Sequence, residues 1–264
     1  MVQTTGKYRD TTDKFYTKHH VVLQCLDSWK QHVSYKDTCV IEPSAGNGKF
    51  LTELVKIPDI QLLSYDIHPE HPDILQQDFL ETSFNNNLEL HVIGNPPFGR
   101  QSSTALKFIK HSCTFASSFS FILPRSFMKE SLKSKVPPYF HCVYEHPLES
   151  NSFELNGKDY DVPCVFQIWV KSSTKRSIPT KELPVGYSFV KKSDPHDISI
   201  RRVGVNCGDI HTITDEASVQ SHYFIKFTRL PTLPSKLNIV ENDFTVGPKS
   251  ISKQEVIKCL NEVI

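Results

Sequence analysis

Three short apolar runs, each closing on a polar residue, limit the fold more than any other feature of this 264-residue chain. Thr38–Ile41 runs into Glu42, Gln61–Tyr65 ends on Asp66, and Leu88–Ile93 ends at Gly94-Asn95. Between and around them the spacing predicts helices. Val21, Val22, Cys25, Leu26 and Trp29 share one face over about residues 18–32, and Phe50, Leu51, Leu54 and Val55 repeat the pattern after the first strand. Ala105–Phe115 reads as a helix, Phe119–Leu123 as a fourth strand, and Ser126 to about Lys133 as another helix. Phe140–Tyr144 and the β-branched, aromatic run Val162–Val170 are further strands, with Pro163 suited to a strand's start or a sheet edge. Strands alternating with helices imply a parallel α/β sheet covered on both faces. Such sheets bind ligands at the carboxyl ends of their strands, which is where Glu42, Asp66 and Asn95 fall together.

The turn after the first strand, Glu42-Pro43-Ser44-Ala45-Gly46-Asn47-Gly48, lets a ligand approach the backbone closely. It is not a P-loop, because Phe50 follows the lysine and Pro43 replaces the first glycine. A dinucleotide site asks for a third glycine where Leu51 stands, although Asp66 is well spaced to bind a ribose. S-adenosylmethionine has no pyrophosphate, so two glycines suffice, and Asp66 can accept both ribose hydroxyls. This turn alone leaves both cofactors open. Asp78-Phe79 adds a carboxylate for an adenine amine and an aromatic for its ring.

Asn95-Pro96-Pro97-Phe98-Gly99 is the sharpest motif. Two prolines remove backbone donors and fix φ, so the loop is stiff and its carbonyls are free to accept. The Asn95 side-chain carbonyl and the Pro96 backbone carbonyl can both accept from one amino group, while Phe98 offers a face to a planar base. Two acceptors of this kind draw an aromatic amine toward tetrahedral geometry and expose its lone pair to a methyl donor.

These motifs resemble the class I S-adenosylmethionine-dependent amino-methyltransferases, whose signature is Asn/Asp-Pro-Pro-Phe/Tyr, and most of all the adenine-N6 DNA methyltransferases. The resemblance covers about residues 7–171. It implies a Rossmann-like, mostly parallel seven-stranded sheet with helices on both faces. It also implies S-adenosylmethionine as cofactor, and a nucleic-acid substrate, DNA ahead of RNA, whose target adenine is flipped out. Lys14-Phe15-Tyr16-Thr17 resembles the motif that closes over the methionine part of the cofactor. Glu42–Gly48 resembles the glycine motif, and Asp66-Ile67 and Asp78-Phe79 fall at the ribose and adenine contacts. Asn95, Pro96, Pro97 and Phe98 take the catalytic positions, with Asn95 also beside the cofactor. Phe98, Arg100 and Phe153 are the substrate contacts, Arg100 toward a phosphate and Phe153 against the extruded base. The same signature occurs in enzymes that methylate adenosine in RNA. A relative that has lost catalysis and serves as a partner subunit is the remaining alternative, disfavoured by the intact motif.

After Val170 the composition changes. Lys171–Pro184 reads as a linker, Asp197–Val205 and Ser221–Phe227 as strands, and Ser252–Val263 as a helix with Val256, Ile257, Leu260 and Val263 on one face. Residues 1–171 are read as the methyltransferase domain, and 172–264 as a small α+β extension with nucleic-acid binding as its candidate role. The net charge is +1, from 30 Lys+Arg against 29 Asp+Glu, so any nucleic-acid contact requires a local basic patch. The pair Arg201-Arg202 within a strand places one side chain on the inner face or in a groove. Seven scattered cysteines without a C-x-x-C pair give neither a zinc site nor a redox dithiol, and they suit a reducing compartment. No apolar stretch nears a membrane span, and the expected location is intracellular, cytoplasmic or nuclear.

Overall fold

The computed structural model describes residues 15–84, 88–155, 157–237 and 249–264, so Lys14 of the N-terminal motif lies outside the described residues. The chain divides into two compact units, 1–178 and 179–264. The first unit is built from β1 (Tyr16–Thr17), α1 (His19–His32), β2 (Thr38–Glu42), α2 (Lys49–Leu54), β3 (Ile60–Asp66), β4 (Leu75–Gln76), β5 (Leu90–Gly94), α3 (Ser103–Phe115), β6 (Ser118–Pro124), α4 (Glu130–Lys133), β7 (Phe140–Pro147), β8 (Phe153–Leu155), β9 (Lys158–Tyr160) and β10 (Cys164–Lys171).

Seven strands form one sheet in the order β4-β3-β2-β5-β6-β10-β7. The pairs β4·β3, β3·β2, β2·β5 and β5·β6 are parallel, and β10 runs antiparallel to both neighbours. The sheet is therefore mostly parallel and Rossmann-like, with β2 and β5 as adjacent central strands. Every residue of β2, β5 and β6 is buried, which is why these strands read as mostly apolar runs, with His91, Ser118 and Ser120 among the buried polar exceptions. Successive side chains face opposite ways. Cys39, Ile41 and Val92 pack with Ala105, Phe108 and Ile109 of α3 on one face. Val40 and Ile93 pack with Val22, Leu26 and Trp29 of α1 and Phe50 of α2 on the other.

Several expectations shift in detail. Ser126–Lys133 is not one helix: a 3-10 turn over Arg125–Met128 and the short α4 are separated by Lys129 in extended backbone (φ −73°, ψ 137°). Val55 stands at the C-cap of α2 and is 62% exposed, outside the apolar face. Pro163 immediately precedes β10, an internal strand, and its carbonyl accepts from Arg125 N at 2.9 Å.

Residues 172–178, which the sequence reading places in the extension, pack on the first unit. Arg176 donates to the carbonyls of Phe140, Lys133 and Val136 at 2.7–3.0 Å. The second unit has a four-stranded antiparallel sheet in the order β11-β14-β12-β13, from β11 (Tyr187–Val190), β12 (Ile198–Arg201), β13 (Ile210–His211) and β14 (His222–Phe227). Helix α5 (Lys253–Val263) opens with a capping box between Ser252 and Glu255. It buries Val256 and Leu260 against Ile198, Ile200 and Ile225; Ile257 is also buried, while Val263 is exposed.

Candidate active site

The carboxyl ends of β2, β3 and β5 meet at a cavity of about 320 Å³. Its floor is the β2–α2 turn. Glu42, Pro43, Ser44, Ala45 and Gly46 line it, and Gly46 adopts φ +53°. Gly48, the other predicted turn contact, does not line it. Gly48 instead sets the start of α2 at φ +79°, with the His71 ring 3.1 Å from where a Cβ would stand. A side chain there would strain the backbone and press on the His71 ring, so glycine is the favoured residue.

Asp66 ends β3 and braces this turn. Its Oδ2 accepts from Gly46 N at 2.7 Å, and its Oδ1 accepts from His68 N at 2.8 Å. Beside it, Ile67 lines the rim and is 56% exposed. Glu42 is buried, with Ser64 Oγ at 3.4 Å from Oε2. Burial holds its carboxyl well above the usual range, the Asp66 charge adds to the rise, and hydrogen bonds from Ser64 and the Leu51 backbone oppose it. Asp78 caps a 3-10 turn by accepting from Leu80 N at 2.8 Å through Oδ1. Phe79 also lines the cavity, but its ring is only 1% exposed and packs on Phe108 at 5.4 Å and edge-on to His111 at 4.9 Å. It is a wall held from behind, not an open stacking platform.

Phe15, Tyr16 and Thr17 close the cavity from a small second sheet, in which β1 pairs with β8 and β8 with β9. The Tyr16 hydroxyl donates to both carboxylate oxygens of Glu70 at 2.6 and 2.7 Å. Burial first, then the Glu70 hydrogen bond and charge, push its pKa up to about 12. Phe15 stacks on Tyr160 of β9 with ring centres 4.5 Å apart, and Lys18 pairs with Asp159 at 2.7 Å. Lys49 of α2 pairs with Glu154 of β8, tying this flap to the glycine turn.

Asn95, Pro96, Pro97 and Phe98 all line the cavity. The backbone carbonyl of Asn95 accepts from Ser44 Oγ at 3.0 Å, which joins the glycine turn to the proline loop. Its side-chain nitrogen donates to Thr17 Oγ1 at 3.2 Å and to the Phe15 carbonyl at 3.5 Å. A backbone carbonyl can only accept, so the nitrogen must lie on the flap side and Oδ1 on the other. Among the described residues neither Asn95 Oδ1 nor the Pro96 carbonyl accepts a hydrogen bond. The Phe98 carbonyl accepts from Thr104 N at 3.2 Å and Ala105 N at 3.3 Å, which anchors the loop to the start of α3. Gln101 (φ 53°) and Ser102 (φ 61°) hold left-handed backbone just beyond. Strain of this kind persists where surrounding structure over-determines a loop.

Two predicted substrate contacts stand elsewhere. Arg100 is exposed on the 3-10 turn after Gly99 and does not line the cavity. Phe153 is 1% exposed in the core cluster with Val21, Cys25 and Cys164, so its ring offers no face to a base. Sequence reasoning missed His68, Gln77, Lys49, Thr104 and Phe108 as cavity residues. Thr104 and Phe108 share a face four residues apart at the start of α3, a signal present in the spacing. Among the described residues no group of His, Cys, Asp and Glu could hold a metal ion, and no helix is long and apolar enough to cross a membrane.

A 90-residue segment, 33% of the chain, is 32% identical to the type II methyltransferases M.HincII and M.HindII of Haemophilus influenzae. The segment spans only 17% of those relatives' length. No family model matches the chain. Among solved structures, a type I restriction-modification methyltransferase subunit from Streptococcus thermophilus superposes with a TM-score of 0.46 at 13% identity, covering 62% of this chain and 46% of that one. TrmN from Thermus thermophilus gives 0.42 at 14% identity, covering 57% and 48%. At such scores the fold rests on the strand order itself.

Proposed function

We propose that this chain transfers a methyl group from S-adenosylmethionine to the exocyclic N6 amine of adenine in nucleic acid, with DNA as the substrate. One observation carries the reading: two unpartnered acceptors, Asn95 Oδ1 and the Pro96 carbonyl, at a strand end beside an acidic, glycine-floored cavity. Similarity of one segment to type II methyltransferases supports DNA.

The residues present fit the cofactor by their chemistry. Each Asp66 oxygen already accepts one backbone N–H and keeps a lone pair for a ribose hydroxyl. Asp78 spends Oδ1 on Leu80 and keeps Oδ2 for an adenine amine. Ile67 and Phe79 offer apolar walls to the ring, and Phe15 and Tyr16 cover the opposite end. When bound, S-adenosylmethionine supplies an activated methyl on a sulfonium.

The chain's own part is to shape the acceptor. Asn95 Oδ1 and the Pro96 carbonyl each take one hydrogen of the amine. The nitrogen is thereby drawn toward tetrahedral geometry, with its lone pair turned to the methyl donor. Asn95 remains neutral throughout and acts as an acceptor, not a base: as the nitrogen takes the methyl, the donor sulfur would keep the electron pair of the broken S–C bond, and one N–H proton leaves late, from the methylated nitrogen to solvent. Pro96 and Pro97 fix the loop, and the Thr17 bond fixes the amide, so catalysis comes from positioning and preorganised dipoles. Phe98 lies against the base, which must leave its stack to arrive. Asn95→Ala is expected to abolish transfer while calorimetry finds cofactor affinity nearly intact. Lost cofactor affinity in that variant would remove the assigned role.

A further inference from the structure

The second unit carries an open groove of about 880 Å³ beside β11 and β14. Its cationic lining is Lys191, Lys192, Arg202 and Lys253, with His222 among them, and no Asp or Glu lines it among the described residues. The chain as a whole has a net charge of only +1, so this is a local concentration. The cations are arranged over aromatic rings. Arg202 lies over Tyr223 at 5.3 Å, Lys253 over Phe189 at 4.3 Å, and the two rings meet edge to face at 5.6 Å. Backbone bonds fix Arg202 from both sides, with its N–H to Ser221 at 2.8 Å and its carbonyl accepting from Ile251 at 2.9 Å. Among the described residues Lys191, Arg202 and Lys253 form no ion pair with a carboxylate. Burial lowers the His222 pKa, a hydrogen bond with the Ser218 carbonyl opposes this, and the charges of Arg201, His211 and Lys192 lower it further.

We propose that this groove binds the phosphodiester backbone of the nucleic-acid substrate, with Lys191, Arg202 and Lys253 meeting phosphates. The proposal rests on the methyl-transfer reading for what the nucleic acid is there for, and on the groove alone for where it is held. Cations spread along a groove and left without carboxylate partners suit a chain of evenly spaced negative charges. Recessed aromatic rings beneath the cations suit such a track better than a membrane plane, into which rings would have to project. Arg201, the strand neighbour, donates through Nε to the Val203 carbonyl instead, so the pair divides as a strand end allows, one side chain in the groove and one on the backbone.

The test measures fluorescence anisotropy of a labelled short DNA duplex with the full chain, without cofactor, across salt concentrations. Lys191→Gln/Lys253→Gln changes two exposed side chains. It is expected to weaken binding on the order of a hundredfold at low salt, and to reduce the slope of log affinity against log salt by about 1.8 for two lost phosphate contacts. Lys191→Arg/Lys253→Arg is expected to keep wild-type affinity and slope. Unchanged melting temperatures establish that both variants fold. Wild-type affinity and slope in the Gln variant overturn the proposal, as does a wild-type chain that binds anionic vesicles and not the duplex. Because no cofactor is present, a failure of the methyl-transfer reading leaves these outcomes unaffected.

Discussion

Gly99→Ala probes how tightly the proline loop is set on α3. Gly99 holds φ +69°, ψ 176°, a region that is essentially glycine-only and costs other residues about 1–3 kcal/mol. An added Cβ would stand 2.2 Å from Thr104 Oγ1, 2.9 Å from Thr104 Cβ and 3.0 Å from Thr104 N. The hydroxyl can rotate away. The Cβ and backbone nitrogen cannot, because that nitrogen donates to the Phe98 carbonyl at 3.2 Å. Overpacking of this kind adds roughly 1–3 kcal/mol. The combined cost of roughly 2–6 kcal/mol matches or exceeds the roughly 2 kcal/mol that two long hydrogen bonds to Phe98 supply, at about 1 kcal/mol each, so the loop is expected to shift off α3. A displacement near 1 Å at Asn95 and Pro96 is expected to lower single-turnover transfer roughly a hundredfold. Cofactor affinity measured by calorimetry should stay close to wild type, since the Asp66 contacts lie on another strand end. Gly99→Ala/Thr104→Ala removes the hydroxyl clash but keeps those with the Cβ and backbone nitrogen, so it should recover little of the rate. A Gly99→Ala protein with the wild-type transfer rate would refute the claim that loop placement limits the chemistry.

Three further perturbations separate roles that the cavity places side by side. Asp66→Ala removes the acceptor for Gly46 and His68 N–H groups, and is expected to weaken the cofactor at least roughly tenfold; unchanged affinity by calorimetry would take Asp66 out of the site. The buried Glu42 carboxyl has a raised pKa, so its protonated form is the one the fold favours. Its contribution is fully present below the unfolded value of about 4.3 and is lost as pH rises through the folded value. Without cofactor, Glu42→Gln should therefore raise the melting temperature more at pH 8 than at pH 5, and an equal change at both would contradict the assignment. Phe153→Ala empties a core position and should cost about 3–5 kcal/mol in denaturant unfolding, whereas a base-stacking role would show as lost activity at unchanged stability.

The central sheet was legible because β2, β5 and β6 are buried on both faces, which forces largely apolar runs, interrupted only by small or paired polar residues such as Ser118, Ser120 and His91. The helix face of α1 was equally plain, its five apolar positions all buried. What stayed hidden has physical causes. The two-residue strands β1, β4 and β13 carry no periodicity, and the insertion of β10 between β6 and β7 is a matter of pairing that no local pattern encodes. The convergence of Glu42, Asp66 and Asn95 followed from strand ends alone. The roles within it did not: nothing in the sequence says that Asp66 braces Gly46, or that Thr17 turns the Asn95 amide. Phe153 misled because an aromatic before a strand reads alike whether it faces a cavity or the core. The boundary near 171 marked a change in composition, while the chain continues to pack on the first unit through Arg176.

The most direct measurement incubates the full chain with methyl-labelled S-adenosylmethionine and DNA, digests the product to nucleosides and identifies the labelled one. The account predicts N6-methyl-2′-deoxyadenosine from the wild-type chain and none from Asn95→Ala. Label on cytosine or in RNA alone, or no label from a chain that binds the cofactor, would contradict it.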